Sequence, residues 1–209
     1  MPSSSLDLWV NERTLGLDQV DAQCTASQAL VPANPRLVDE NIRGFILLLS
    51  AHFQGYCRDL YTECAQTISS RMRLSLKILV QRQFTANRAL EHGNPNIELI
   101  KKDFNRFGFA LDMAAHDAAN HGRLADLKEL NRWRNIAAHH GTVPPSGIPL
   151  LSTVQGWRNS CNGLATSLDG IMYNQLLRIL KKKPWKPSGG GSRDDRAEAG
   201  KPDPPVQHR

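Results

Sequence analysis

The chain is poor in several things, and each shortage excludes something. Aromatic residues make up only 6% of the 209 positions. No run approaches the roughly 20 apolar residues needed to cross a bilayer; the longest, GFILLLSA at 44–51, sits inside a polar-flanked pattern. The segment MPSSSLDLWVNER has neither a basic start nor an apolar stretch, so it does not read as a secretory signal, and a cytoplasmic location with no membrane contact is expected. Cysteine is scarce as well. Cys24, Cys57, Cys64 and Cys161 form no Cys-x-x-Cys pair, which argues against zinc-ribbon and thioredoxin-like chemistry and for buried free thiols in a reducing compartment. No Walker-type phosphate loop and no Gly-x-Ser-x-Gly elbow occur. No stretch alternates apolar and polar residues over a strand's length, so β-architecture is not expected.

The net charge of +6 is unevenly spread. Residues 181–209 hold 8 Lys/Arg against 4 Asp/Glu, while the remaining 180 residues hold 18 against 16. A basic tail raises the encounter rate with phosphate polymers but marks no site on a nearly neutral body. The tail itself, KKKPWKPSGGGSRDDRAEAGKPDPPVQHR, has the Pro/Gly/charge composition of a disordered segment, although Trp185 within it is a residue that stacks on bases.

What remains is helical patterning. Asn34 can cap and Pro35 suits the first helical turn. From there Leu37 is followed by Ile42, Phe45, Leu49, Phe53, Tyr56, Leu60 and Cys64, which from Ile42 on recur at spacings of three and four, in a pattern that runs to about Ser69. A second helix is expected from about Ser70 to Glu91 on Leu74, Leu76, Ile78, Leu79 and Leu90, stopped by HGNPN. A third follows Asn96, and 110–121 is ambiguous. A fourth covers RLADLKELNRWRNIAAHH, and a fifth begins at Ser152, which with Gln155 makes a capping-box pattern. The expected fold is an all-α antiparallel bundle of about five helices: a loosely attached extension at 1–33, the bundle at 34–181 and a disordered basic tail at 182–209.

The chemistry concentrates at LNRWRNIAAHHG, 130–141, at the end of the fourth helix. Asn135 and His139 are four apart and share a face; Arg134 lies about 140° from His139 around the axis, within reach of a long side chain. Basic residues at a helix C-terminus are ordinary complements of the dipole. The same trio suits phosphodiester chemistry. A histidine titrating near neutrality moves a proton on or off an oxygen, an arginine holds a phosphate through paired hydrogen bonds, and an asparagine orients phosphate or ribose. RNA supplies its own nucleophile, the 2′-hydroxyl, so neither metal nor cofactor is required. Lys101, Lys102 and Arg106 form a basic helix face that is either simply solvated or a rail for RNA. His116 and His121 lack the spacing of metal ligands. Trp133 is expected in the core or at an interface.

The octet RNIAAHHG resembles the Arg-x4–6-His signature of the HEPN superfamily, in which a polar residue, often Asn, follows the arginine near the end of a late bundle helix. FILLLSAHFQGYCRDLYTEC at 45–64 looks like the first core helix of the RiboL-PSP-HEPN subgroup, except that Gln54 stands where an acidic residue is common. The resemblance spans roughly 36–181. It implies a metal-independent endoribonuclease, typically a homodimer acting in toxin–antitoxin or antiviral-defence systems with an antitoxin or defence partner. Arg134 and His139 would be catalytic, with Asn135 assisting; His140 would be an adjacent substrate-side residue, joined in binding by Lys101, Lys102 and Arg106. The alternative it leaves is a non-catalytic dimeric module that binds RNA, nucleotide or a partner protein.

Overall fold

The computed structural model describes residues 2–70, 72–139 and 147–185. It is all-α, with no strand among those residues. The central element is α3, Pro35–Ser69. It starts as its sequence dictates: the Asn34 side chain accepts a hydrogen bond from the Leu37 amide at 3.2 Å, and Pro35 occupies the first turn. At 35 residues it runs for about 52 Å. Ile42, Phe45, Leu49, Phe53, Tyr56, Cys57, Leu60, Tyr61 and Cys64 are buried along it. The other large helices, α2 (Thr14–Gln28), α7 (Asn120–Ala138) and α8 (Leu151–Leu180), pack around this axis.

The N-terminal region is part of that core rather than a loose extension. A short α1, Ser4–Leu8, passes through a π-helical turn at Trp9–Arg13 into α2. The Trp9 indole is 1% exposed, packs against Phe53 and Tyr56 at centroid distances of 5.9 and 5.7 Å, and donates to Asn162 Oδ1 at 3.0 Å. The Glu63 carboxylate accepts from the amides of Ser4 and Ser5, and the Asp169 carboxylate accepts from the Ser3 amide. Arg13 pairs with Asp59, and Arg158 with Asp18. The 1–33 segment has too few apolar residues at helical spacing to announce this. Its attachment rests on Trp9 together with the widely spaced Leu6, Leu17 and Cys24, all buried, and on polar ties to residues far away in sequence.

The second predicted helix is shorter than its pattern. Only Leu74–Thr85 is α-helical (α4); a 3-10 turn covers Ala89–Glu91, and Asn87 between them has φ +53°. Leu74, Leu76, Ile78 and Leu79, expected to face the core, are 44–73% exposed. Their spacing explains it: positions 74, 76, 78 and 79 point around more than half of the helix, so no single face buries them. α4 is held from its other side. Gln81 donates to Ser69 Oγ, Phe84 stacks on Phe107, and Arg106 donates to the carbonyls of Gln83 and Ala86.

α5, Ile97–Phe104, is capped by Asn96, whose Oδ1 accepts from Leu99 at 2.9 Å. The ambiguous stretch is one turn, α6 (Met113–His116), capped by Asp112 and followed by the start of α7 three residues ahead of the expected Arg123. At the other end, Ser152 and Gln155 form no capping box. α8 begins at Leu151 with no side-chain cap, and Gln155 donates to Asp21 Oδ1 on α2 instead. Trp185 is also not where its composition put it: it is 6% exposed and belongs to the core cluster, and the rest of the tail expected from 182, residues 186–209, lies outside the described residues. Trp133 is buried. All four cysteines are free and buried, with the Cys57 and Cys161 thiols pushed up by burial. Among the described residues no helix is long and apolar enough to cross a membrane.

Candidate functional site

The site is assembled from three elements: α7, α3 and the loop His92–Asn96. The last turn of α7 carries the motif. Arg134 is half-buried, Asn135 and His139 are exposed. His139 is the residue that ends the helix, and its amide donates to the Asn135 carbonyl at 3.1 Å. The guanidinium of Arg134 does reach round the helix, with Nη1 3.4 Å from Asn135 Oδ1. The same oxygen accepts from Asn94 Nδ2 at 2.7 Å. Asn135 is therefore fixed by one donor from its own helix and one from a loop 41 residues earlier. Among the described residues Arg134 forms no ion pair, whereas Arg132 two positions before it pairs with Glu129.

The loop that delivers Asn94 is itself held from α3. Gln54 Nε2 donates to the carbonyls of Leu90 and Gly93, at 2.6 and 2.8 Å. From below, the buried Asp103 carboxylate accepts from the Ala89 and Leu90 amides, both at 2.9 Å. These are complementary demands: the turn's amides need an acceptor and its carbonyls need a donor. A carboxylate serves the first and a carboxamide the second. Gln54 stands where the HEPN resemblance led to an expected acid, and here it positions a loop that only a donor can hold.

The basic residues divide. Lys102, with Arg88 and His92, lines a shallow depression of about 280 Å³ that includes Gly93 and so adjoins Asn94. Lys101 is half-buried in the last turn of α5. Arg106, expected on the same rail, donates from its two terminal nitrogens to the carbonyls of Gln83 and Ala86 at the end of α4. It is structural. His140 lies outside the described residues. His116 and His121 are exposed, and no three His, Cys, Asp or Glu side chains gather as metal ligands among the described residues.

Two contributors were not expected from the sequence. Asn94 sat inside HGNPN, which reads only as a helix stop. Asp103 sat in a helix whose acidic residues look solvated. The signal for Gln54 was present, as a departure from a resembling pattern, but not its partners. No family model, no curated protein and no solved structure matches this chain.

Proposed function

We propose that the protein is a metal-independent endoribonuclease of the HEPN type. The observation that carries the reading is the arrangement around Asn135 Oδ1. An arginine and a loop asparagine converge on one carboxamide beside an exposed histidine, in the helix turn where the dipole favours bound anions' counter-charges. A single-stranded RNA phosphate placed there meets Arg134 as a forked donor and His139 as a proton carrier. The 2′-oxygen forms the new bond to phosphorus and gives up its proton; the bond to the 5′-oxygen breaks, and that oxygen takes a proton. Arg134 stabilises the charge that grows on the phosphoryl oxygens. Asn135, held by Asn94, orients the phosphate or the ribose.

One histidine cannot at once accept the first proton and deliver the second. A two-fold homodimer that faces two motifs supplies one for each task and doubles the local positive potential. The setting as a toxin or antiviral-defence effector, with an antitoxin or defence partner, follows the same resemblance.

The test is cleavage of a labelled RNA mixture in excess EDTA by purified wild-type, Arg134→Ala and His139→Ala protein. Wild type cuts and leaves 2′,3′-cyclic ends; both variants lose at least about 100-fold in rate. Absence of cutting by a folded, dimeric wild type refutes the enzymatic reading and leaves the binding module.

A further inference from the structure

Six consecutive residues of α4 hold four of the eleven large apolar side chains that are exposed among the described residues: Leu74, Leu76, Ile78 and Leu79. Clustered apolar exposure marks a contact surface, whereas single exposed leucines do not. At about 100° per residue the helix turns Lys77, Val80, Gln81 and Phe84 inward, all of them half-buried. The outward side has relief. Leu74 and Ile78, four apart, make one low ridge; Leu76 and Leu79, three apart, make a second. Ser75 lies between the ridges as the floor of a trough with apolar walls. Arg73 stands at its N-terminal end, and Arg82, seven residues after Ser75 on nearly the same line, at its C-terminal end.

The charge of this segment has one sign. From residue 64 to residue 90 the chain carries Arg71, Arg73, Lys77, Arg82 and Arg88 and no Asp or Glu. Arg88 pairs with Glu91, whereas Arg73, Lys77 and Arg82 form no ion pair among the described residues. An occupant that buries the leucines therefore has to bring acid to the cations as well. The chain's own stretches 140–146 and 186–209 do not fit: prolines apart, Val143 and Val206 are their only aliphatic residues larger than alanine. A second copy in two-fold contact would set this cationic helix against itself. A bilayer interface is gripped by Trp, Tyr or Phe together with Lys and Arg, and the one aromatic of α4, Phe84, is turned inward onto Phe107. Nucleic-acid bases stack on aromatic and guanidinium planes, not on aliphatic ridges. A protein helix with an apolar stripe flanked by carboxylates meets both demands. Its stripe rides in the trough as ridges pack into grooves, and its acids face Arg73 and Arg82.

From these observations we infer that the outward face of α4 is a docking site for an acidic amphipathic helix of a partner protein. The inference does not rest on the ribonuclease reading, and the face shares no residue with the candidate site. Segment 86–93 joins α4 to the loop of Asn94, so the docked helix lies one short connection away from Asn135.

The test selects peptides on the full-length protein from a displayed library of amphipathic helices that differ in the charge of their polar face. The selected peptides are expected to be net acidic, with apolar residues at spacings of three and four. In fluorescence anisotropy they bind at least about tenfold more weakly to Leu79→Asp, and to the double variant Arg73→Glu/Arg82→Glu, than to wild type. Exchanging the acids of such a peptide for lysine abolishes binding to wild type and restores it to Arg73→Glu/Arg82→Glu. Leu79 is 64% exposed, so Leu79→Asp is expected to melt close to wild type by circular dichroism; if it fails to fold, Leu79→Gln takes its place. No selected peptides, selected peptides that are neutral or basic, or affinities unmoved by these variants each overturn the inference. So does a different occupant of the same face: binding to phosphatidylserine–phosphatidylcholine vesicles, self-association in sedimentation velocity, or binding of single-stranded RNA, where any of these is lost in Leu79→Asp.

Discussion

Replacing Gln54 by glutamate changes little in size and inverts what the side chain can do. The wild-type carboxamide donates to two carbonyls, Leu90 at 2.6 Å and Gly93 at 2.8 Å. A neutral hydrogen bond of this kind contributes about 1 kcal/mol net, so losing both costs about 2 kcal/mol, the expectation for Gln54→Leu. Gln54→Glu at pH 7.5 adds repulsion between a partly buried carboxylate and two carbonyl dipoles, for a total of about 3–4 kcal/mol. For a chain of this size that lowers the melting temperature by very roughly 6–15 °C. Acid partly reverses the defect: once protonated, the new carboxyl donates one hydrogen bond, so the gap between variant and wild type narrows as the pH falls toward about 4.5. Urea unfolding at pH 7.5 and pH 4.5 measures both effects, with Gln54→Leu as the pH-independent control. Because the loop also carries Asn94, the proposed ribonuclease activity is expected to fall at least about tenfold in both variants. A Gln54→Glu protein within about 0.5 kcal/mol of wild type at pH 7.5 would refute the argument that two donors hold this loop.

Other perturbations test separate parts of the fold. Asp103→Ala strands the Ala89 and Leu90 amides under the same loop and costs about 3–5 kcal/mol, read as a shift in the urea midpoint. Trp185→Ala opens the core at its C-terminal edge and costs about 3–5 kcal/mol by the same measurement; a loss below about 1 kcal/mol would place the indole outside the core. Burial, helped by the nearby Arg13 charge, lowers the His52 imidazole below its ordinary value of about 6.5. The unfolded chain therefore takes up this proton first. Stability is retained above about pH 6.5 and declines as the pH falls below it, and His52→Gln flattens that part of the pH–stability curve. Burial raises the Asp169 carboxyl, against hydrogen bonds from Ser3. The folded protein keeps that proton to higher pH than the unfolded chain, so the group favours folding only at low pH. Asp169→Asn is expected to be more stable than wild type at pH 7, with the difference shrinking toward pH 4 in matched urea titrations.

Local signals in the sequence were legible and distant ones were not. Asn34 and Pro35 announced the start of α3 because a cap is decided within four residues. The long three-and-four periodicity of α3 needed no partner to be seen. Ser152 and Gln155 carried an equally good local signature and failed, because Asp21, 134 residues earlier in the chain, competes for the glutamine. Trp185 failed for the same reason in the other direction: a tail-like composition on both sides says nothing of a tertiary socket. At the site, the shared face of Asn135 and His139 followed from helix geometry alone. Asn94 and Asp103 did not, since each acts on a segment with which it shares no periodic pattern, and the carbonyl partners of Arg106 were hidden for the same reason.

The length and straight phase of α3 have a further consequence. Gln54 and Tyr61 are seven residues apart, on one face and about 10 Å apart along the axis. Gln54 fastens the carbonyls of Leu90 and Gly93, and the Tyr61 hydroxyl fastens that of Phe84 at 2.9 Å. The helix thus works as a jig with two pins for the segment 84–93. Inserting one residue between the pins turns one relative to the other by about 100°. Either the end of α4 or the Asn94 loop must then let go. α3 is in this sense a gauge whose setting is counted in residues, and an insertion or deletion between 54 and 61 is felt at Asn135 although neither pin touches α7's last turn.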